Sequence, residues 1–144
     1  MSDRYPLPDV DWEPAAGFWA AAARDELAIP RCSACGTFNW YPRDHCSSCG
    51  SSDMPWSALR GRGTLFSWSV VARPLYRAYA EMTPYVTGLV ALEEDPAVRL
   101  VTTVVDCQPD ALRIDMPVRV VFGELSFPGV EGSVRAPFFT PEVS

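Results

Sequence analysis

The sequence predicts a mainly β protein in which a four-cysteine metal unit is joined to one small all-β domain. Three observations carry that prediction. Two Cys-x-x-Cys-Gly repeats stand at residues 32–36 and 46–50, a single alanine-rich stretch at 18–26 has helical character, and hydrophobic residues alternate with period two after Gly63. The chain has 144 residues, 48% of them hydrophobic. That is enough for one compact unit with a small appendage and too few for two full domains.

Residues 1–17 hold three prolines and several aspartates with little periodicity, and read as an extended arm. Trp12 is the arm's one large apolar side chain, and an isolated indole of this kind docks on its own domain or on a partner. Residues 18–26 (FWAAAARDE) favour a helix, but at about two turns it must pack on something to persist. Leu27 to Ile29 reads as a short strand. Beyond Gly63, strands are expected at 64–71, with Phe66, Trp68 and Val70 on one face, and at 85–92, with Val86, Val90 and Leu92 on one face. Segments 98–105 and 118–122 are dense in β-branched residues. A last strand at 135–140 contains Pro137, which restricts it to a sheet edge or a strand end. Four or five strands with one short helix argue for a small barrel or sandwich.

The cysteines give the sharpest chemical signal. In Cys32-Ser-Ala-Cys35-Gly and Cys46-Ser-Ser-Cys49-Gly, two intervening residues let both thiolates of a pair reach one ion, and the glycine permits the tight turn beyond. Four thiolates complete a tetrahedral shell around one Zn²⁺ per chain, with iron in the same shell as the alternative. A full shell has no position for water, so the site is structural and not catalytic. His45, the only histidine, adjoins Cys46 and is expected at the surface or behind the ligands. Cys107 has no partner cysteine and reads as a half-buried free thiol.

Charge is unevenly spread over a net −6. Residues 28–80 carry six arginines (31, 43, 60, 62, 73, 77) against Asp44 and Asp53, a local +4 on an acidic chain without lysine. That pattern suits a discrete anionic ligand or an acidic partner patch better than a polyanion. No apolar run approaches the ~20 residues of a membrane span. The first residues lack the basic start and apolar stretch of a signal peptide, so the expected compartment is the cytoplasm and the thiols are expected reduced.

The order of segments resembles the DUF35 family. The residues that carry the likeness are FWAAAARDEL, the pair CSACG and CSSCG with Pro42 between them, Trp56, GRGTLFSWSVV, Pro84-Tyr85, RLVTTVVDC, LRIDMPVRVVF and APFFTP, and the likeness covers residues 12–141. The resemblance implies a rubredoxin-like zinc ribbon fused to a five-stranded OB-fold barrel. The division expected from it is an arm at 1–17, a helix and ribbon at 18–58, and the OB-fold domain at 59–144. One departure is Asp115, where the family usually has glycine; aspartate tolerates a left-handed turn better than most residues.

The resemblance further implies a small accessory subunit of a thiolase-fold enzyme (thiolase, acyltransferase or aldolase) acting on acyl-CoA, steroid side-chain intermediates among the substrates. The chemistry would belong to the larger subunit. Candidate partner- or CoA-binding residues are Trp12, Phe18, Trp19, Tyr76 and Tyr79, which are good contact residue types, and Arg60, Arg62, Arg73 and Arg77, which suit phosphate. The competing account is that Phe18 and Trp19 cover the domain's own core and the arginines are merely solvated. A second class, a nucleic-acid-binding ribbon and OB-fold module, would use Phe66 and Trp68 to stack on bases, but the acidic total opposes it. A self-sufficient enzyme is disfavoured, because no histidine outside the cysteine unit, no GxSxG elbow and no phosphate loop occurs.

Overall fold

A computed structural model describes residues 4–142. The first three residues of the expected arm and the last two of the expected OB-fold domain lie outside it.

The helix α1 (Ala16–Ala22) starts two residues before the alanine-rich stretch and ends four before its close. It ends early because Asp25 takes a left-handed conformation (φ 60) that turns the chain into β1 (Leu27–Pro30). It starts early because Gly17 admits the indole of Trp56, with which a Cβ there would collide. Phe18, Ala21 and Ala22 form the buried face. β1 is buried at all four positions and pairs antiparallel with β2 (Trp56–Leu59), so the cysteine unit at 31–55 is an excursion between two paired strands.

Five further strands form the barrel: β3 (Arg62–Val71), β4 (Tyr85–Leu92), β5 (Arg99–Val104), β6 (Pro117–Leu125) and β7 (Val134–Pro141). They close in the order β3-β4-β5-β7-β6, with β3 returning to β6. All neighbours are antiparallel except β5 and β7, which run parallel. This is the connectivity of an OB-fold. The wall is uneven. β6 and β7 share eight register pairs, whereas β5 and β7 meet at a single pair, Val104 with Phe139.

Alternation held in β4, where Val86, Val90 and Leu92 are buried, and failed in β3. The register shifts between Leu65 and Ser67, so Leu65 enters the core while Phe66 and Val70 are 40% and 42% exposed. A bulge reverses the side-chain faces downstream of it, which an unbroken period-two pattern does not reveal. Phe66 instead carries the Arg99 guanidinium over its ring at 3.9 Å. Pro137 lies inside β7, not at its end. It pairs with Phe122 of β6, and no β5 residue is in register with it, so its missing N–H costs the ladder nothing. Asp115 takes the left-handed turn (φ 63).

One hydrophobic core joins the parts. Phe18, Leu27 and Ile29 pack in the same cluster as Val90, Leu92, Val118 and Phe139 of the barrel. A second cluster ties the arm (Leu7, Val10) to the β3–β4 loop (Tyr79, Met82) and the β6–β7 loop (Phe127, Val130).

Candidate functional site

Cys32 and Cys46 are buried, whereas Cys35 and Cys49 reach the surface. Each knuckle closes by a backbone bond from its glycine, Gly36 N–H to Cys32 C=O at 2.8 Å and Gly50 N–H to Cys46 C=O at 3.0 Å. Both glycines sit at φ +78, the left-handed region that the turn needs. The four Sγ atoms lie within 4.8 Å of one another, with Cys32–Cys49 at 3.5 Å and Cys35–Cys46 at 3.6 Å. A tetrahedron with bonds of about 2.3 Å sets its sulfurs about 3.8 Å apart. The residues therefore fit one metal ion in an all-sulfur shell.

The surroundings favour thiolates unequally. Backbone N–H groups of Cys49 and Ser48, with the Asn39 amide at 3.5 Å, hold Cys46 down at about 6. The Thr37 side chain, 3.2 Å from its sulfur, lowers Cys35. Cys49 has the Ser51 backbone N–H in its favour, yet the crowding Cys32 and Cys35 sulfurs and burial push it up to about 12. A cation at the centre removes that conflict, because a coordinating thiol is deprotonated outright. Asn39 is 3% exposed and also accepts the Ser47 N–H at 2.9 Å, so it braces both knuckles. His45 is exposed, as the sequence suggested.

Beside the ribbon, on the outer face of β4 and β5, lies an aromatic groove of about 710 Å³. Its far side is built by the arm, α1 and the ribbon segment 40–42, and Trp12, Trp19, Tyr79 and Tyr85 are among its lining. The volume falls in the usual range for a binding site. Burial pushes the Tyr79 phenol up, with the nearby Tyr85 and Tyr76 adding to it. A second groove of about 590 Å³ shares Tyr85, Thr103 and Phe138 with the first and reaches Cys107, whose thiol is half-buried and raised by burial.

The structure sorts the sequence candidates. Phe18 is 7% exposed, belongs to the core and also lines the groove. Trp19 is half-buried, stands edge-on to Phe18 at 5.0 Å and packs against both hydrophobic clusters. Trp12 and Tyr76 are 58% and 56% exposed. Arg60 and Arg62 are engaged by acids, Arg60 with Glu93 (3.4 Å) and Glu94 (4.0 Å), and Arg62 with Glu142 (3.3 Å). Those carboxylates offset the charge that a phosphate would need. Arg73 and Arg77 are exposed in the β3–β4 loop. Sequence reasoning passed over Trp40 and Tyr41 of the ribbon spacer, although the run FNWYP between the knuckles was a visible aromatic signal.

Residues 19–55 match the model of the ChsH2 rubredoxin-like zinc ribbon domain, and residues 56–123 match that of the ChsH2 C-terminal OB-fold domain. A DUF35 domain-containing scaffold protein of Methanocaldococcus jannaschii is 30% identical over 105 residues, 72% of either chain. The chain belongs to the DUF35 family. Another DUF35 domain-containing scaffold protein, from Methanothermobacter thermautotrophicus, is 30% identical over 121 residues, covering 83% of this DUF35 chain and 89% of the relative. A probable enoyl-CoA hydratase alpha subunit of Thermomonospora curvata is 37% identical over 139 residues. Those residues are 96% of this chain but 40% of that subunit, so the DUF35 chain spans less than half of it. Among solved structures, a chain of an Ltp2-ChsH2(DUF35) aldolase superposes with a TM-score of 0.80 at 34% identity, covering 94% of this chain and 99% of that one. A DUF35 protein of unknown function from Sulfolobus solfataricus has the same fold (TM-score 0.59, 10% identity, 97% and 91% covered). Among the described residues no helix is long and apolar enough to cross a membrane.

Proposed function

We propose that this DUF35 chain is a zinc-containing, non-catalytic accessory subunit of a thiolase-fold enzyme that acts on acyl-CoA substrates. The observation that carries the reading is a set of exposed aromatics beside a metal shell filled by thiolates: Trp12 and Tyr41 line the groove at 58% and 60% exposure, and Tyr76, 56% exposed, packs against the groove residue Tyr79. Large exposed rings on a rigid scaffold are what a partner surface uses. The likeness to a chain of an Ltp2-ChsH2(DUF35) aldolase and to archaeal scaffold proteins supports the same reading. CoA, where it touches this chain, would meet Arg73 and Arg77 rather than the already engaged Arg60 and Arg62. Four thiols held together without a disulfide suit a reducing compartment, so the complex belongs in the cytoplasm. Nucleic acid is a poor fit, because the charged residues lining the two grooves, Asp9, Asp106 and Glu124, are all acidic.

Co-purification with a tagged chain tests the reading. A thiolase-fold protein is expected to accompany it, and thioester turnover is expected only from the pair. Trp12→Ala is expected to weaken the pair while leaving melting of the isolated chain unchanged. Turnover of an acyl-CoA by this chain alone would refute the reading.

A further inference from the structure

Among the described residues the most exposed large hydrophobic side chain is Leu75, at 90%. It stands in the β3–β4 loop, where residues 72–77 are all exposed. A leucine alone in water would mean little. This one is continued by Pro74 and by Tyr76 at 56%, and the Tyr76 ring meets Tyr5, itself 46% exposed, edge-on at 5.9 Å. Together they form an apolar patch on one loop.

The loop is held in shape beneath that patch. A single 3₁₀ turn spans Arg77–Tyr79, with Tyr79 N–H bonded to Tyr76 C=O at 3.0 Å and Ala80 N–H to Arg77 C=O at 3.1 Å. The Thr83 hydroxyl closes the next turn on Ala80 C=O at 3.0 Å. Tyr76 leans on Tyr79 (6.4 Å), which stacks on Tyr85 (6.0 Å) and stands edge-on to Phe127 (5.1 Å). Tyr79 and Tyr85 line the aromatic groove, so the patch runs without a break into the surface already assigned to the partner. A loop fixed in this way loses little freedom when it docks.

Charge narrows what it docks to. Arg73 and Arg77 flank the patch, no acid lies between them in sequence, and among the described residues no carboxylate pairs with either. The segment is thus +2 on a chain of −6. Guanidinium groups released from any partner of their own are matched by carboxylates, which they bind bidentately. An anionic bilayer would offer negative charge as well, but one leucine and two arginines are a small anchor for so acidic a chain.

We propose that residues 73–77 are the anchor of this chain on its thiolase-fold partner: Leu75 fills an apolar pocket of the partner, and Arg73 and Arg77 pair with carboxylates on the rim of that pocket. This deepens the accessory-subunit reading and rests on it.

The test mixes the tagged DUF35 chain with its separately prepared partner and measures association at low and high salt. Leu75→Ser is expected to weaken association about tenfold and to leave melting of this chain unchanged, because so exposed a side chain supports little of its own fold. Arg73→Gln combined with Arg77→Gln is expected to weaken association similarly and to flatten its salt dependence. Ile114→Ser is the comparison, since Ile114 is 62% exposed but stands between Arg113 and Asp115, whose charges cancel. A photo-crosslinker introduced as Leu75→p-benzoylphenylalanine is expected to join a partner peptide that carries aspartate or glutamate. A loss for Leu75→Ser no greater than for Ile114→Ser overturns the proposal and spares the subunit reading. Crosslinks confined to partner peptides without a carboxylate do the same. Binding to phosphatidylglycerol vesicles that Leu75→Ser abolishes, with association to the partner unchanged, assigns the patch to a membrane and overturns the proposal. A raised KM for acetyl-CoA in the arginine double variant, with association unchanged, assigns the arginines to CoA and also overturns it. Failure of the wild-type chain to associate overturns both readings.

Discussion

Stripping the metal should unfold the ribbon and spare the barrel. Within residues 31–55 only Cys32, Asn39 and Cys46 are buried, and two of those three are ligands. The backbone of the excursion holds itself by one isolated bridge, Arg31 with Phe38, and a handful of turn bonds. No hydrophobic core of its own remains once the ion is gone. Structural zinc sites contribute about 10–16 kcal/mol of apparent binding free energy, and in a unit built this way that is folding free energy. The barrel loses only the half-buried contacts of Phe38 and Trp40 against the shared core, at most about 1.5–3 kcal/mol each. β1 keeps its four buried positions and its place beside α1. The assay is chelation with EDTA under reducing conditions, with metal release quantified and amide exchange followed by mass spectrometry. One equivalent of zinc should leave per chain. Amides at 31–55 should then exchange freely, while those of β3 to β7 stay protected. Cys46→Ser should give the same pattern. Ribbon amides that stay protected after the metal has left, or a barrel that melts together with the ribbon, would refute the reasoning.

Three further outcomes are expected. The Arg135 guanidinium, bonded to Asp25 through Nη2 at 3.0 Å, holds the Asp25 carboxyl below its ordinary range. That pair supports the fold above about pH 4 and loses its contribution as pH falls through the lowered folded value, so Arg135→Ala should narrow the gap between urea midpoints at about pH 6 and about pH 3. Gly88→Ala should cost about 1–3 kcal/mol in denaturant unfolding, because its Cβ would stand 2.6 Å from Val104 Cγ2 and 3.3 Å from Leu65 Cδ1. At the left-handed Asp115, Asp115→Val should cost about 1–2 kcal/mol while Asp115→Gly stays within about 0.5 kcal/mol of wild type; equal melting of the two would contradict the backbone argument.

The metal unit was legible because its chemistry is local. Two knuckles of identical spacing specify four ligands, two turns and one ion without reference to the rest of the chain. Strand positions were legible for the same reason, since β4 to β7 are runs of β-branched and aromatic residues. The failures all depended on distant partners. The bulge in β3 moved Leu65 inward and Phe66 outward, and nothing in the local pattern of GTLFSWSVV marks it. The engagement of Arg60 and Arg62 depends on Glu93, Glu94 and Glu142, carboxylates 33 to 80 residues away along the chain. The groove was invisible because its walls come from six separate segments. Trp12 was noticed as an isolated indole, but Trp40 and Tyr41 were hidden inside the metal-binding spacer.

Phe18, Leu27 and Ile29 sit in the barrel's own hydrophobic cluster, and Gly17 lets the helix lie flush against Trp56. The ribbon is therefore bolted to the barrel and does not swing on a linker. Its distance and angle to the groove are properties of the fold, so a protein gripping both receives a fixed template. Transplanting the cysteine unit onto another barrel would require carrying over the socket that receives those three side chains.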